Sequence, residues 1–177
     1  ANWNGVNKFG MEVVRMMNPW GGTYENAYNP TNFDATWSLA YEGLLMDAHT
    51  FLPIYEEGEW WIHAGITKIL EAYTLVTLVD FFGDIPWTES FDAANFNPTA
   101  DDDQSIYDVA IAKLDEAILD LDKDALATPS NDMFYDGDPD AWKTLAKTLK
   151  LKIYLNLRLI DEAGASSVIN SLIADDD

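Results

Sequence analysis

The sequence contains no cysteine and few basic residues. With no cysteine among 177 residues, the chain has no disulfide, no thiol nucleophile and no cysteine-based zinc site. Ten Lys and Arg side chains stand against 31 Asp and Glu, which gives a formal net charge of −21. Because nucleic-acid binding depends on clustered Lys and Arg, this balance excludes nucleic acid as a partner. An acidic surface of this kind ordinarily serves solubility.

Motifs for catalysis are missing as well. The two histidines, His49 and His63, match no metal-ligand motif such as H-E-x-x-H, and a single helical histidine is usually a satisfied, partly buried residue. The sequence has no glycine-rich phosphate loop and no G-x-S-x-G elbow. Carboxylate pairs carry no information in a chain with 31 acidic residues. We therefore expect a protein that is not an enzyme, without a catalytic residue, cofactor or metal.

The most strongly patterned stretch runs from residue 62 to residue 87. Apolar residues recur at helical spacing over 62–82 and occupy both sides of the helix, which predicts a helix buried between neighbours. Gly83 can adopt positive φ at a helix C-terminus, and Pro86 cannot continue a helix, so the helix is predicted to end there. Residues 84–87 are predicted to be extended, since the residue before a proline is biased away from helical angles.

Five further helices are predicted. They cover residues 5–17, 34–57, 104–122, 140–160 and 162–174. Asp34 is the predicted N-cap of the second, and Pro53 is expected to kink it or end it early. Residues 101–103 (DDD) and Asp138 or Asp140 are the predicted caps of the next two. Carboxylates clustered at 101–103 could instead bind calcium, but their spacing is not that of an EF-hand loop, and capping is favoured.

These helices predict an all-α fold of antiparallel helical hairpins with long connecting loops. The helices at 34–57 and 62–82 are joined by a short polar turn, which is typical of the hairpins in tetratricopeptide-like scaffolds. The strict tetratricopeptide consensus is absent, so hairpins and not a regular repeat array are expected. Lys143, Lys147 and Lys150 share one ridge of a helix; pairing with acidic neighbours is favoured there over an anion site or a partner contact.

The longest predicted loop, residues 18–33, carries the candidate binding residues. Rings and amides together suit a sugar, because a ring offers a flat apolar surface and an amide offers hydrogen-bond donors and acceptors to hydroxyl groups. The alternative is that the rings fold back and cover the helix behind them. The candidates are Trp20, Tyr24, Asn26, Tyr28, Asn29 and Asn32.

Three stretches, in order and at matching spacing, resemble the SusD/RagB family of surface nutrient-binding lipoproteins. The first is FGDIP at residues 82–86, which closes a long helix. The second is QSIY at 104–107 followed by LDEAI at 114–118. The third is YDGD at 135–138, followed by Trp142 and LAKTLKL at 145–151. The resemblance covers roughly residues 37–160, most of the chain.

The resemblance implies a tetratricopeptide-like scaffold and a function. That function is to bind oligosaccharides or similar nutrients at the outer membrane surface and to pass them to a SusC-like TonB-dependent transporter. In starch-binding members a loop ahead of the helix pair contributes to the ligand site, which corresponds to residues 18–33. Because family members are typically several hundred residues long, residues 1–177 are expected to form one domain, an N-terminal part of a longer chain.

No signal peptide is visible at the first residues, and the apolar stretches are shorter than the ~20 residues that cross a bilayer. The family's lipidated cysteine is expected upstream of Ala1, so membrane attachment is expected only through a lipid anchor absent from this chain. Two rival functions remain open at this point. One is a helical-hairpin adaptor that binds a protein and no sugar, and the other is an enzyme of glycan breakdown.

Overall fold

A computed structural model of the chain describes residues 10–12, 14–18 and 30–174. These residues are mainly helical, which confirms the all-α fold class. The elements in chain order are a 3-10 turn Pro30–Phe33, α1 Asp34–Ser38, a π-helical segment Leu39–Leu45, α2 Met46–Glu57, α3 Trp61–Phe82, β1 Ile85–Pro86, β2 Ala100–Asp101, α4 Asp103–Leu121, α5 Pro139–Leu157 and α6 Glu162–Ala174. The chain divides into two compact units, Ala1–Asp47 and Ala48–Asp177.

The helix predicted over residues 5–17 ends earlier than expected. Residues 10–12 are helical and residues 14–17 form turns. Arg15 has φ of 62°, a left-handed angle that stops a right-handed helix. The amide N–H groups of Met16 and Met17 instead donate to the carbonyl of Met11, at 2.8 and 3.1 Å. The remainder of this predicted helix lies outside the described residues.

The predicted helix 34–57 is present, but its start and interior differ from the prediction. Its N-cap is Phe33, not Asp34, because a 3-10 turn with helical backbone angles leads directly into α1 and leaves no side-chain cap. Asp34 lies in the first turn of the helix, where the helix dipole stabilises its carboxylate. A π-helical segment, Leu39–Leu45, separates α1 from α2. Pro53 lies inside α2 and does not end it early, since the helix continues to Glu57.

Helix α3 is the core of the second unit, as its apolar pattern predicted. Residues from Ile62 to Val79 are buried on most sides of the helix, although Tyr73 is 39% exposed. Gly83 ends the helix with φ of 73°, and its N–H donates to the Val79 carbonyl at 2.9 Å. Among the described residues, α3 alone is long and apolar enough to cross a membrane, but 67% of its apolar window is buried inside the protein. It is therefore a core helix.

Successive helices of the second unit pack on one another. The closest backbone packing joins α3 to α4, and α4 to α5 and α5 to α6 follow. Between α2 and α3, side chains near the intervening turn bridge the two helices, as when Lys68 Nζ lies 2.9 Å from Glu56 Oε1. Consecutive packed helices agree with the predicted helical scaffold. The hairpin predicted from 34–57 and 62–82 is not among the closely packed pairs, because α3 packs most extensively on α4.

A buried charge network lies between α3 and α4. Lys68, 5% exposed, places Nζ 2.7 Å from Asp120, 2.9 Å from Glu56 and 3.2 Å from Glu116. Burial lowers the pKa of Lys68, but its hydrogen bonds to these carboxylates outweigh burial and raise the pKa above its usual value. Lys123 also pairs with Asp120, at 2.6 Å. The lysine at the centre is therefore charged and fully partnered.

The extended residues after α3 form a short antiparallel ladder, with Ile85 opposite Asp101 and Pro86 opposite Ala100. Asp101 is not a helix cap, because its carboxylate accepts the N–H groups of Trp87 and Thr88, at 2.8 and 3.0 Å. Burial would raise the pKa of Asp101, but these bonds lower it below its usual value. The N-cap of α4 in the structure is Asp102, one of the three predicted residues, and its side chain accepts the Gln104 N–H at 3.1 Å.

The acidic residues before α4 act locally on the backbone. The carboxylates of Asp84, Asp102 and Asp103 are exposed and lie within 4.8 Å of one another. Asp84 accepts the Asp103 N–H at 3.1 Å, as Asp102 accepts that of Gln104. Of the caps predicted at residues 101–103, Asp102 has that role.

The basic ridge of α5 is paired with carboxylates, as predicted. Lys143 Nζ lies 2.7 Å from Asp122 and 2.8 Å from Asp140, and Lys150 pairs with Asp115. The hydrogen bonds from Asp122 and Asp140 raise the pKa of Lys143. Lys147 also has an interaction partner. Lys143 and Lys150 therefore hold α5 to acidic neighbours.

Candidate functional site

Most of the predicted sugar-binding loop lies outside the described residues. This applies to Trp20, Tyr24, Asn26, Tyr28 and Asn29. Asn32 is described: it is exposed and lies in the 3-10 turn Pro30–Phe33, where the sequence predicted loop without secondary structure. The proposed grouping of rings and amides around a sugar stays a prediction.

The second unit contains an open groove of about 290 Å³. It lies between the α2–α3 turn region and the loop that precedes α5, and we call it the aromatic groove. Its lining comes from α2, α3, the loop at 129–134 and the first turn of α5. The lining residues are Tyr55, His63, Ile66, Thr67, Leu70, Pro129, Asn131, Asp132, Met133, Phe134 and Trp142.

One wall of the aromatic groove belongs to a row of rings around the α2–α3 turn. The ring of Tyr55 lies 6.1 Å from that of Phe51, 5.9 Å from that of Trp60 and 5.4 Å from that of His63. Helical spacing brings Phe51 and Tyr55 together, since residues four apart share a face. Phe51 and Trp60 are 44% and 39% exposed. The row therefore leaves a substantial aromatic surface in contact with solvent.

The opposite wall is a turn organised by Asp132. Its carboxylate accepts the backbone N–H groups of Phe134 and Gly137, both at 2.9 Å, and the indole N–H of Trp142 at 2.7 Å. Burial would raise the pKa of Asp132, but these hydrogen bonds lower it below its usual value. The turn requires left-handed backbone at Asp136 and Gly137, with φ of 55° and 77°, which glycine adopts at little cost. Asp138 then caps α5 by accepting the Asp140 N–H at 2.9 Å.

Two aromatic side chains of this wall differ in exposure. Trp142 is 2% exposed, whereas Phe134 is 76% exposed. The ring of Phe134 meets the indole of Trp142 edge to face at 6.2 Å, and Tyr135 does so at 5.1 Å. Phe134 is thus an exposed ring whose backbone is held by Asp132 and whose side chain rests on a buried indole.

His63, in the lining of the groove, has a buried polar atom that lacks a partner. Nδ1 is buried and has no hydrogen-bond partner among the residues that the structure describes. This corrects the sequence-based expectation that the histidine would be satisfied. Burial lowers the pKa of His63 from its usual 6.5, so the ring is neutral at pH 7. A neutral imidazole offers one donor and one acceptor to a ligand.

We expect acidification to reduce stability through His63. The folded pKa of this group lies below its unfolded value, so the unfolded chain binds more protons, and the stabilisation present above pH ~6.5 is lost as pH falls through the folded pKa. Urea unfolding of the wild type and of His63→Gln at pH 7.5 and 5.5 checks this. The wild type should lose more stability than the variant on acidification.

The matched control for this prediction is His49→Gln. His49 is exposed and stacks on Phe91 at 4.8 Å, away from the lining of the aromatic groove. An identical pH dependence in the wild type and in His63→Gln would contradict the account of His63.

The lining of the aromatic groove carries little charge. Asp132 is its one charged lining residue, and both carboxylate oxygens already accept hydrogen bonds. The remaining polar side chains are those of Tyr55, His63, Thr67 and Asn131. The sequence analysis missed Asp132 and the groove; the signal available was an aspartate ahead of the YDGD turn and the tryptophan of α5.

Comparison with known proteins identifies relatives of the whole chain. The sequence profile of the SusD-like family, described as starch-binding and associating with the outer membrane, matches residues 2–176. A SusD/RagB family protein from Bacteroides thetaiotaomicron is 27% identical with a TM-score of 0.72, over 93% of this chain and 34% of that one. A search of the curated proteins found no match.

Two further solved structures share the fold at lower identity. A chitin-binding SusD homologue from Flavobacterium johnsoniae is 21% identical with a TM-score of 0.71, over 85% of this chain and 32% of that one. A SusD-like protein from Bacteroides thetaiotaomicron is 20% identical with a TM-score of 0.70, over 83% of this chain and 31% of that one. At these identities the likeness concerns the fold alone. The chain spans about a third of the length of these structures.

Proposed function

The chain belongs to the SusD-like family, described as starch-binding and associating with the outer membrane, and we propose that it binds a neutral glycan at the outer surface of a Gram-negative cell. The observation that carries this proposal is the match of the family profile over residues 2–176. The aromatic content, with seven Trp, eight Tyr and eight Phe, supports it, because rings provide stacking surfaces for sugars. The net charge of −21 favours neutral over anionic ligands.

The partner that we propose is a SusC-like TonB-dependent transporter in the outer membrane. In this role the chain captures an oligosaccharide and delivers it without chemical change, so no catalytic residue is required. A lipid anchor outside the given sequence holds the protein at the surface. Support for this part comes from the family's association with the outer membrane.

The residues that we propose for glycan contact remain those of the loop at 18–33. Trp20, Tyr24 and Tyr28 supply rings, and Asn26, Asn29 and Asn32 supply amides. Neighbouring rings and amides match the two faces of a sugar, whose C–H groups stack and whose hydroxyl groups donate and accept hydrogen bonds.

Affinity gel electrophoresis against soluble starch, glycol chitin and a panel of other neutral polysaccharides tests the proposal. We expect retardation of the wild type by one glycan class, and loss of most of that retardation in Trp20→Ala. Phe96→Ala is the matched control, since this ring is 95% exposed and lies outside the loop. Circular dichroism checks that each variant keeps its helices.

Each outcome separates the proposal from its rivals. No retardation of the wild type by any glycan contradicts glycan binding and favours the protein-binding adaptor. Retardation that Trp20→Ala leaves unchanged places the site elsewhere. Release of reducing sugar from the retarding polysaccharide would instead support an enzyme of glycan breakdown.

A further inference from the structure

The aromatic groove includes aromatic side chains that are not buried by the packing of the described residues. Phe134 is 76% exposed and Met133 beside it is 93% exposed, whereas Trp142 beneath them is buried. Exposed aromatic side chains carry a hydrophobic cost unless a ligand covers them. Here the exposed ring is also held in place, because the Phe134 N–H donates to Asp132 and the ring rests on Trp142. A fixed, exposed ring loses little conformational entropy when it binds.

Hydrogen-bonding groups line the same groove. Nδ1 of His63 is buried without a partner among the described residues, and the Thr67 hydroxyl donates to the His63 carbonyl at 2.8 Å, which leaves its oxygen free to accept. Asn131 is exposed and offers both a donor and an acceptor. The groove therefore combines apolar surface with neutral polar atoms.

Charge narrows the class of ligand. The lining includes no lysine or arginine, and its one carboxylate, that of Asp132, is occupied by three hydrogen bonds. An anionic ligand would meet a chain of net charge −21 without a cation in the lining to hold it. The groove suits an uncharged molecule that has one apolar face and several hydroxyl groups.

The volume of the groove also suits a small neutral ligand. The groove measures about 290 Å³, the lower end of the ~300–1,000 Å³ range of small-ligand sites. That space suits one or two sugar rings of a longer chain.

We propose that the aromatic groove is a second carbohydrate contact, in which a pyranose ring of a neutral glycan stacks on Phe134 and hydrogen-bonds to His63. The inference rests on the proposed glycan-binding function and adds contact residues to those proposed in the loop at 18–33. With Tyr55 on the facing wall, the groove holds the sugar between two aromatic side chains. A protein with two such contacts gains avidity for a polymer, because the second contact becomes intramolecular.

The test uses the given chain with maltoheptaose and chitotetraose as probes, in calorimetric titrations of the wild type and of Phe134→Ala. Loss of one stacking ring should weaken binding by about fivefold. Phe134→Tyr should retain the affinity, because it keeps the ring. Phe96→Ala, which removes a ring that is 95% exposed elsewhere, should bind as the wild type does.

A second readout reports on the groove itself. In long-range ¹H–¹⁵N spectra, the imidazole signals of His63 should shift when the sugar is added to the wild type, and they should shift much less in Phe134→Ala. Sugar binding by the wild type with no His63 shift and no effect of Phe134→Ala overturns the second contact and leaves the proposed function standing. Absence of any sugar binding by the wild type overturns both. Competition from an apolar peptide and not from sugar would also overturn the inference and identify a protein-docking surface.

Discussion

Replacement of Lys68 by methionine is expected to lower the free energy of unfolding by about 3–5 kcal/mol. The side chain of Asp120 is 5% exposed and depends on the ammonium group 2.7 Å away. Removal of that ammonium leaves a buried carboxylate with Lys123 as its remaining cation, and an undercompensated buried charge is far more costly than a lost surface pair. Urea unfolding followed by circular dichroism at pH 7 measures the change.

The double variant Lys68→Met, Asp120→Leu is the control for this prediction. It should recover part of the lost stability, because the two buried charges are removed together and apolar side chains of similar volume replace them. Lys143→Met removes a lysine whose partners, Asp122 and Asp140, are 56% and 83% exposed. It should cost no more than about 1 kcal/mol. Equal effects of Lys68→Met and Lys143→Met would show that the buried network does not contribute as described.

Replacement of Trp142 by alanine is expected to destabilise the protein by about 3–5 kcal/mol, the usual range for a buried tryptophan. Trp142 is 2% exposed, and its loss removes a large core side chain together with the indole donor to Asp132. The same variant removes the support under Phe134. Sugar affinity should therefore fall as well, even at temperatures where the variant is fully folded.

Trp142→Phe separates the two contributions. It keeps most of the apolar volume but removes the N–H, so it should cost about 1–3 kcal/mol, the range for a lost partner of a charged acceptor. Asp132 would keep the backbone donors of Phe134 and Gly137. A fully stable Trp142→Ala would mean that the wall of the aromatic groove is not anchored by this indole.

Local signals predicted where several helices begin and end. Gly83 ends α3 because glycine adopts a positive φ at little cost. Asp102 and Asp138 cap the N-termini of α4 and α5 through carboxylates that accept backbone N–H groups. Each of these signals acts within a few residues, so the sequence carries it directly. Asp34 failed as a cap for the same kind of reason, since the 3-10 turn before it already supplies helical backbone.

Features that depend on distant residues were not visible in the sequence. Lys68 and Asp120 are 52 positions apart, and nothing in the local pattern around either residue selects the other among 31 acidic side chains. The aromatic groove likewise joins His63 to Phe134 across the whole of α4. Its one local component is the turn around Asp132, whose spacing relative to Gly137 and Trp142 could have been recognised.

The predicted sugar-binding loop at 18–33 shows the reverse: its local composition was visible in the sequence, but the direction in which its side chains face was not. Its rings and amides were identified from composition, but composition does not say whether a ring faces a ligand or the protein, since both uses bury the same apolar surface. The sequence therefore predicts that Trp20 and Tyr24 are suited to contact a sugar, but it does not predict which way their rings face. The choice between a ligand contact and a cover for the neighbouring helix belongs to experiment.

The most direct test of the account is a calorimetric titration of the wild type, Trp20→Ala, Phe134→Ala and the double variant with maltoheptaose and chitotetraose. We predict saturable binding of one sugar by the wild type, weaker binding by each single variant, and no measurable binding by the double variant. Failure of the wild type to bind either sugar, or a double variant that binds as tightly as the wild type, would contradict the account.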